Sequence, residues 1–227
     1  HEAGVRCYLM MPRIFRKEAE QYFRKQMELL TSAGFDALGI GSMEEPGFLR
    51  EAGIELPMYF DQGMYSWNHL AGAAMERYGA DRLTIPVELN EREIRDSGVQ
   101  GEMIVYGYLP MMISAQCIRK TTLGCSGKSE IMWLKDRKDM RFPVVNQCRF
   151  CYNTIYNSAP LSLLGLSEQV TGLKPNAVRL NFTVEEPAAA GEILDAFFEE
   201  YGMSEKAAEP PVLRNQFTRG HFKRGVE

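Results

Sequence analysis

Between residues 1 and 110, short apolar runs alternate with stretches of helical period, and this alternation restricts the fold class more than any other feature of the chain. Strand-length runs occupy 5–11, 35–41, 57–61, 82–86 and 102–107. Between them, 16–32 carries Ala19, Tyr22, Phe23, Met27 and Leu30 at helical spacing, and further helices are expected at 44–53, 66–78 and 91–96. Gly53 and Gly79 supply the stops. A sixth strand at 177–184 and a last helix at 188–201 resume the rhythm near the end. Repeated βα units with few hairpins predict an α/β protein with a parallel sheet, either doubly wound or closed into a barrel.

Polar or special residues stand at the C-terminal ends of several of these strands: Pro12-Arg13, Asp61-Gln62, Glu88 and Tyr108. In a (β/α) barrel those ends form the active face. About six of the eight strands of such a barrel are present, so a partial TIM-like (β/α) barrel is expected, its first strands on a preceding part of the same protein. The organisation reads as successive βα units over 1–115, a Cys-rich insertion with a hairpin over 116–175, a last βα unit over 176–203 and a basic tail over 204–227. In the insertion, 130–135 and 140–144 flank a charged turn as a hairpin, and 157–166 reads as an apolar loop or short strand. The stretch 204–211 is linker-like.

Four of the five cysteines, Cys117, Cys125, Cys148 and Cys151, fall in one window of 35 residues. Four thiolates are a full ligand set for one tetrahedral ion or one iron–sulfur cluster. Cys148 and Cys151 form a C-x-x-C. Cys117 and Cys125 are spaced more widely than the two knuckles of a zinc ribbon, and irregular spacing is common for clusters, so both metal classes stay open alongside a reading as unconnected core thiols. Cys7, in the run Val5-Arg6-Cys7-Tyr8-Leu9-Met10, reads as a buried strand residue.

The net charge of −4 is unevenly distributed. From Cys117 to Cys151 eight basic residues (Arg119, Lys120, Lys128, Lys135, Arg137, Lys138, Arg141, Arg149) face three acids (Glu130, Asp136, Asp139). A second basic segment, 213–224, holds Arg219, His221 and Lys223 and no acid. Two basic segments on an acidic body suit an anionic partner, although 135–139 also reads as a solvated turn. No run approaches the length of a membrane span, no basic-then-apolar leader is present, and cysteines without an export signal point to a reducing compartment, so a cytoplasmic location without membrane contact is expected.

Hydrolase signatures are missing: there is no His-Glu-x-x-His and no Gly-x-Ser-x-Gly, and the three histidines are His1, His69 and His221. Gly39-Ile40-Gly41-Ser42 lacks the third glycine of a dinucleotide-binding turn and reads as a tight βα turn, with Glu44-Glu45 at a helix start.

Several segments together resemble the U32 peptidase family, also called collagenase-like proteases. They include Asp61-Gln62-Gly63-Met64-Tyr65-Ser66-Trp67-Asn68, Ile85-Pro86-Val87-Glu88-Leu89-Asn90, Val105-Tyr106-Gly107-Tyr108-Leu109-Pro110, Ala115-Gln116-Cys117, Leu134-Lys135-Asp136-Arg137-Lys138, Asn157-Ser158-Ala159-Pro160-Leu161, Arg179-Leu180-Asn181-Phe182-Thr183 and Thr218-Arg219-Gly220-His221-Phe222. The resemblance implies a TIM-barrel-like core. It also implies, for several members, a [4Fe–4S] cluster on four cysteines supporting oxygen-independent hydroxylation of tRNA, rRNA or a quinone precursor, with prephenate as hydroxyl source in the RNA-acting members. Others carry a peptidase label. On this basis Cys117, Cys125, Cys148 and Cys151 are expected to bind the cluster, with zinc as the alternative. Arg119, Lys120, Asp136, Arg137, Lys138, Asp61, Asn68, Glu88, Arg219, His221 and Lys223 are candidates for contact with RNA or another anionic substrate. The close Cys148/Cys151 pair departs from the more dispersed arrangement of the RNA hydroxylases. A peptidase and a non-catalytic subunit stabilised by a cluster or zinc are the competing functions.

Overall fold

The computed structural model describes residues 1–202 and 216–225, so the linker-like stretch 204–211 lies outside the described residues. The chain is mixed α/β and divides into two compact units, one of His1–Pro86 with Ile94–Glu102, the other of Val87–Glu93 with Met103–Glu227.

In the first unit, β1 (Tyr8–Met10), β2 (Ala37–Ile40), β3 (Met58–Phe60) and β4 (Arg82–Leu83) form a parallel sheet in sequence order. The expected βα rhythm is realised by α1 (Lys17–Lys25), α2 (Met27–Ser32), α3 (Glu44–Glu51) and α4 (His69–Tyr78). Every residue of β2 is buried, as befits a parallel strand covered on both faces. The helix expected over 16–32 is instead two: Gln26 leaves helical geometry at φ −106°, ψ 16°, and the chain restarts at Met27. The apolar spacing continues across this break, because Ala19 and Phe23 of α1 and Leu30 of α2 are all buried.

Cys7 is also not what the sequence suggests. It is exposed, one residue before β1, and its N–H donates to Asp36 Oδ2 at 2.7 Å. β1 is the end strand of its sheet, with Tyr8 and Met10 exposed, so an apolar run here is not a buried one.

α4 has both stops that its sequence advertises. Asn68 Oδ1 accepts from Ala71 N at 2.9 Å, and Gly79 closes the helix at φ 116°, a left-handed value that a side chain would strain. Asn68→Ala should therefore cost about 1 kcal/mol of stability in denaturant unfolding.

α5 (Glu91–Ser97) and β5 (Glu102–Gly107) fall at the sequence boundary between the units. The second unit holds a larger antiparallel sheet than the expected hairpin. β6 (Pro110–Ser114), β7 (Ile131–Lys135), β8 (Arg141–Gln147) and β9 (Tyr152–Tyr156) lie in the order β6-β9-β8-β7. β10 (Leu161–Ser162), within the stretch expected as loop or short strand, pairs antiparallel with β5, which is also flanked by β11 (Ala177–Asn181). Helices α6 (Ile118–Thr122), α7 (Ser167–Gly172) and α8 (Pro187–Glu200) complete it. Among the described residues the strands form three sheets, none of them a closed ring, and no helix is long and apolar enough to cross a membrane.

Candidate metal centre

The four clustered cysteines come from three short segments at one end of the antiparallel sheet. Cys117 is the N-cap of α6, where its Sγ accepts from Lys120 N at 3.4 Å. The loop that delivers it is fixed twice. Ser114 Oγ accepts from Gln116 N at 3.1 Å, and the buried Asn153 of β9 donates through Nδ2 to Gln116 O at 2.9 Å.

Cys125 is exposed in the loop between α6 and β7, flanked by Gly124 and Gly127, both at positive φ. Glu130 holds this loop against α6. Its Oε1 accepts from Ser126 Oγ at 3.0 Å and stands 2.5 Å from Arg119 Nε, an ion pair that is not aligned as a hydrogen bond.

Cys148 and Cys151 occupy the turn from β8 to β9, between the paired residues Gln147 and Tyr152. Phe150 N donates to Gln147 O at 3.2 Å, and Cys151 takes a left-handed φ of 56°, which turns the chain into β9. The Cys148 thiol donates to Lys128 O at 2.8 Å, tying the turn to the Cys125 loop. Partial burial pushes the Cys148 thiol up from its ordinary value, and the charges of Cys117, Cys125, Cys151 and Glu130 push the same way. Cys148 is thus within electrostatic reach of the other three sulfurs. Yet among the described residues no three His, Cys, Asp or Glu side chains converge tightly enough to hold one metal ion.

The tether to Asn153 gives a prediction. Asn153→Ala leaves Gln116 O with Ser114 Oγ at 3.3 Å as its remaining donor, and should cost about 0.5–1.5 kcal/mol in unfolding while loosening the Cys117 loop. Faster hydrogen exchange over 115–120 is the signature that separates this from a general loss of stability.

The family profile described as Peptidase family U32 matches residues 1–192. The chain belongs to peptidase family U32. No curated protein and no solved structure matches it.

The other residues that the sequence singles out in this U32 chain have varied surroundings. Lys120, Arg137 and Lys138 are exposed, whereas Asp136 is engaged in the hairpin turn, its Oδ1 accepting from Lys138 N at 2.7 Å and Met140 N at 2.9 Å. Arg219 Nη1 donates to Ser162 O at 2.8 Å and Leu164 O at 2.6 Å, and its guanidinium covers the Phe217 ring, so it clamps the tail onto β10. His221 Nδ1 lies 2.8 Å from Gly225 O, and Lys223 Nζ donates to Gln169 Oε1 at 2.8 Å. Glu88 is half-buried.

Asp61 and Asn68 lie in the other unit, Asn68 as the cap described above. Asp61 is buried at the end of β3 and pairs with Arg13 at 2.7 Å. Arg13 lies so close over Gly41 and Gly63 that a Cβ at either would meet it, at 3.2 and 2.9 Å respectively. Nearby, the fully buried Glu45 accepts from Gly41 N at 2.8 Å and Ser42 N at 3.3 Å through Oε2, while Oε1 is buried without a hydrogen-bond partner. Burial pushes the Glu45 carboxyl up to about 8, against the opposing effect of these hydrogen bonds. Asn153 escaped the sequence reading, as did the loop contact of Glu130 and the burial of Glu45, which the sequence places at a helix start. Only the polar Asn153 within a β-branched and aromatic run was a usable signal.

Proposed function

We propose that this U32 chain holds a [4Fe–4S] cluster on Cys117, Cys125, Cys148 and Cys151 and takes part in the hydroxylation of a structured RNA, tRNA or rRNA. The observation that carries the reading is that the four thiols stand in three loops at one end of the β6-β9-β8-β7 sheet, with Cys148 bonded to Lys128 O in the loop of Cys125. Four thiolates from separate loops are a full ligand set for a cubane, and irregular spacing of this kind is common for clusters.

When bound, such a cluster supplies one-electron transfer or a Lewis-acidic iron to the reaction. The chain contributes the rest. Asn153 and the Arg119–Glu130 pair set the loops of Cys117 and Cys125, and the surplus of basic residues from 117 to 151 favours phosphate or a carboxylated co-substrate beside the thiols. The parallel strands β1–β4 belong, in this reading, to a (β/α) barrel whose strand ends carry Arg13 and Asp61, with Glu45 of α3 holding the turn after β2.

The peptidase reading has less to stand on. Among the described residues no hydrogen bond joins His1, His69 or His221 to a cysteine sulfur: His1 bonds Asp36 at 2.9 Å and His221 bonds Gly225 O. Nucleoside mass spectrometry of RNA from cells with and without the protein tests the proposal. A nucleoside carrying one extra oxygen should vanish with the gene and return with the parent chain but not with Cys148→Ser. Peptide cleavage by iron-free protein would instead restore the peptidase.

A further inference from the structure

The β7–β8 hairpin presents a face that no part of the metal centre uses. Residues directly opposite in an antiparallel pair share a face, so Trp133 with Pro143, Lys135 with Arg141 and Ile131 with Val145 form one surface. Trp133 is 56% exposed and Ile131 47%, while Pro143 beneath is buried. Among the described residues the Trp133 ring makes no hydrogen bond, ring contact or cation contact, and β7 pairs only with β8. Lys135 and Arg141 are exposed at the end of that face, and Arg137 and Lys138 lie in the turn beyond. The surface keeps a positive surplus, with Lys135, Arg137, Lys138 and Arg141 against Asp136 and Asp139, and the Asp139–Lys135 pair at 2.7 Å is exposed and of little strength.

We infer that this face binds a single-stranded segment of RNA, a base stacking on Trp133 while Lys135, Arg141 and the turn cations contact the flanking phosphates. The inference rests on the RNA reading above and names the surface that would serve it. An exposed aromatic ring framed by cations on a sheet face is the arrangement that captures unpaired bases, because every base has a π-face and the phosphates follow at short intervals. A duplex keeps its bases stacked inside and offers nothing to the ring, so the occupant is single-stranded. Position supports this. Cys148 touches Lys128, and Trp133 is at most about 17 Å further along an extended chain, so a strand lying on the hairpin has the thiols within a few nucleotides.

The test is fluorescence anisotropy with a labelled oligouridylate and an RNA duplex of the same length, on the full chain purified without oxygen, with iron and sulfide measured for every variant. Trp133→Ala should weaken single-strand binding about ten-fold or more, Trp133→Phe should keep most of it, and neither should change iron content. Arg141→Ala should reduce the salt dependence by about one phosphate contact. Parent-like single-strand affinity in Trp133→Ala would overturn the hairpin site and leave the RNA reading standing. A parent chain that binds neither RNA would sink that reading and this site with it. Self-association that Trp133→Ala abolishes without touching RNA affinity would assign the face to a protein and overturn the inference.

Discussion

Cys148→Ser, purified without oxygen, should carry less than about half the iron and sulfide of the parent chain and lose its broad visible absorption, while remaining folded. Cys148 is the most committed of the four thiols. It is half-buried, it is bonded to Lys128 in the Cys125 loop, and it shares the β8–β9 turn with Cys151. In the proposed cluster a serine oxygen would be a harder, poorer ligand, and one open iron would expose the rest to solvent. The fold does not depend on this sulfur, because the ladder of Asn146 with Asn153 and Gln147 with Tyr152 stays intact and no disulfide is lost. Cys7→Ser is the matching control: Cys7 is exposed and lies in the other unit, so its iron content should equal the parent's. Equal loss in both variants would detach the iron from the 117–151 window.

Glu45 gives the second large effect, on stability. Its carboxyl is raised from 4.5 to about 8 by burial, so the folded chain keeps a proton that the unfolded chain has already released. Between those two values the folded state binds more protons, and stability must fall as pH rises. The penalty is absent below about pH 4.5 and complete above about pH 8. Across pH 5 to 8 it amounts to about 3–4 kcal/mol. Glu45→Gln is neutral at every pH. It should flatten this part of the profile in urea unfolding, whatever constant cost its amide adds. A slope that survives the substitution would assign the pH dependence to another group.

The parts of the fold that were legible in sequence are those in which side-chain period reports burial. β2 is buried on both faces and reads as an unbroken apolar run, and α4 announces both of its ends in Asn68 and Gly79. β9 escaped because Asn153 and Thr154 are buried polar residues in the middle of it, which breaks both the alternating and the continuous apolar pattern. The gap at Gln26 escaped because the apolar spacing runs straight across it.

The contacts that fix the cysteine loops were not legible, since Gln116 O and Lys128 O are backbone acceptors whose donors are 37 and 20 residues away. The same holds for Arg219, whose charge suggests an anion while its geometry supplies two carbonyl oxygens. Arg13 and Asp61 could each be placed at a strand end, but their pairing depends on the order of β1 to β3 in the sheet, which no local pattern encodes.

The central claim is that four gathered thiols hold a cluster rather than one ion, and metal content tests it most directly. Iron, acid-labile sulfide and zinc should be measured together with the visible spectrum on the parent chain purified without oxygen. About four iron and four sulfide per chain, with broad absorption near roughly 400 nm, is the predicted result. About one zinc with no iron or sulfide would contradict it and make the thiols a structural centre.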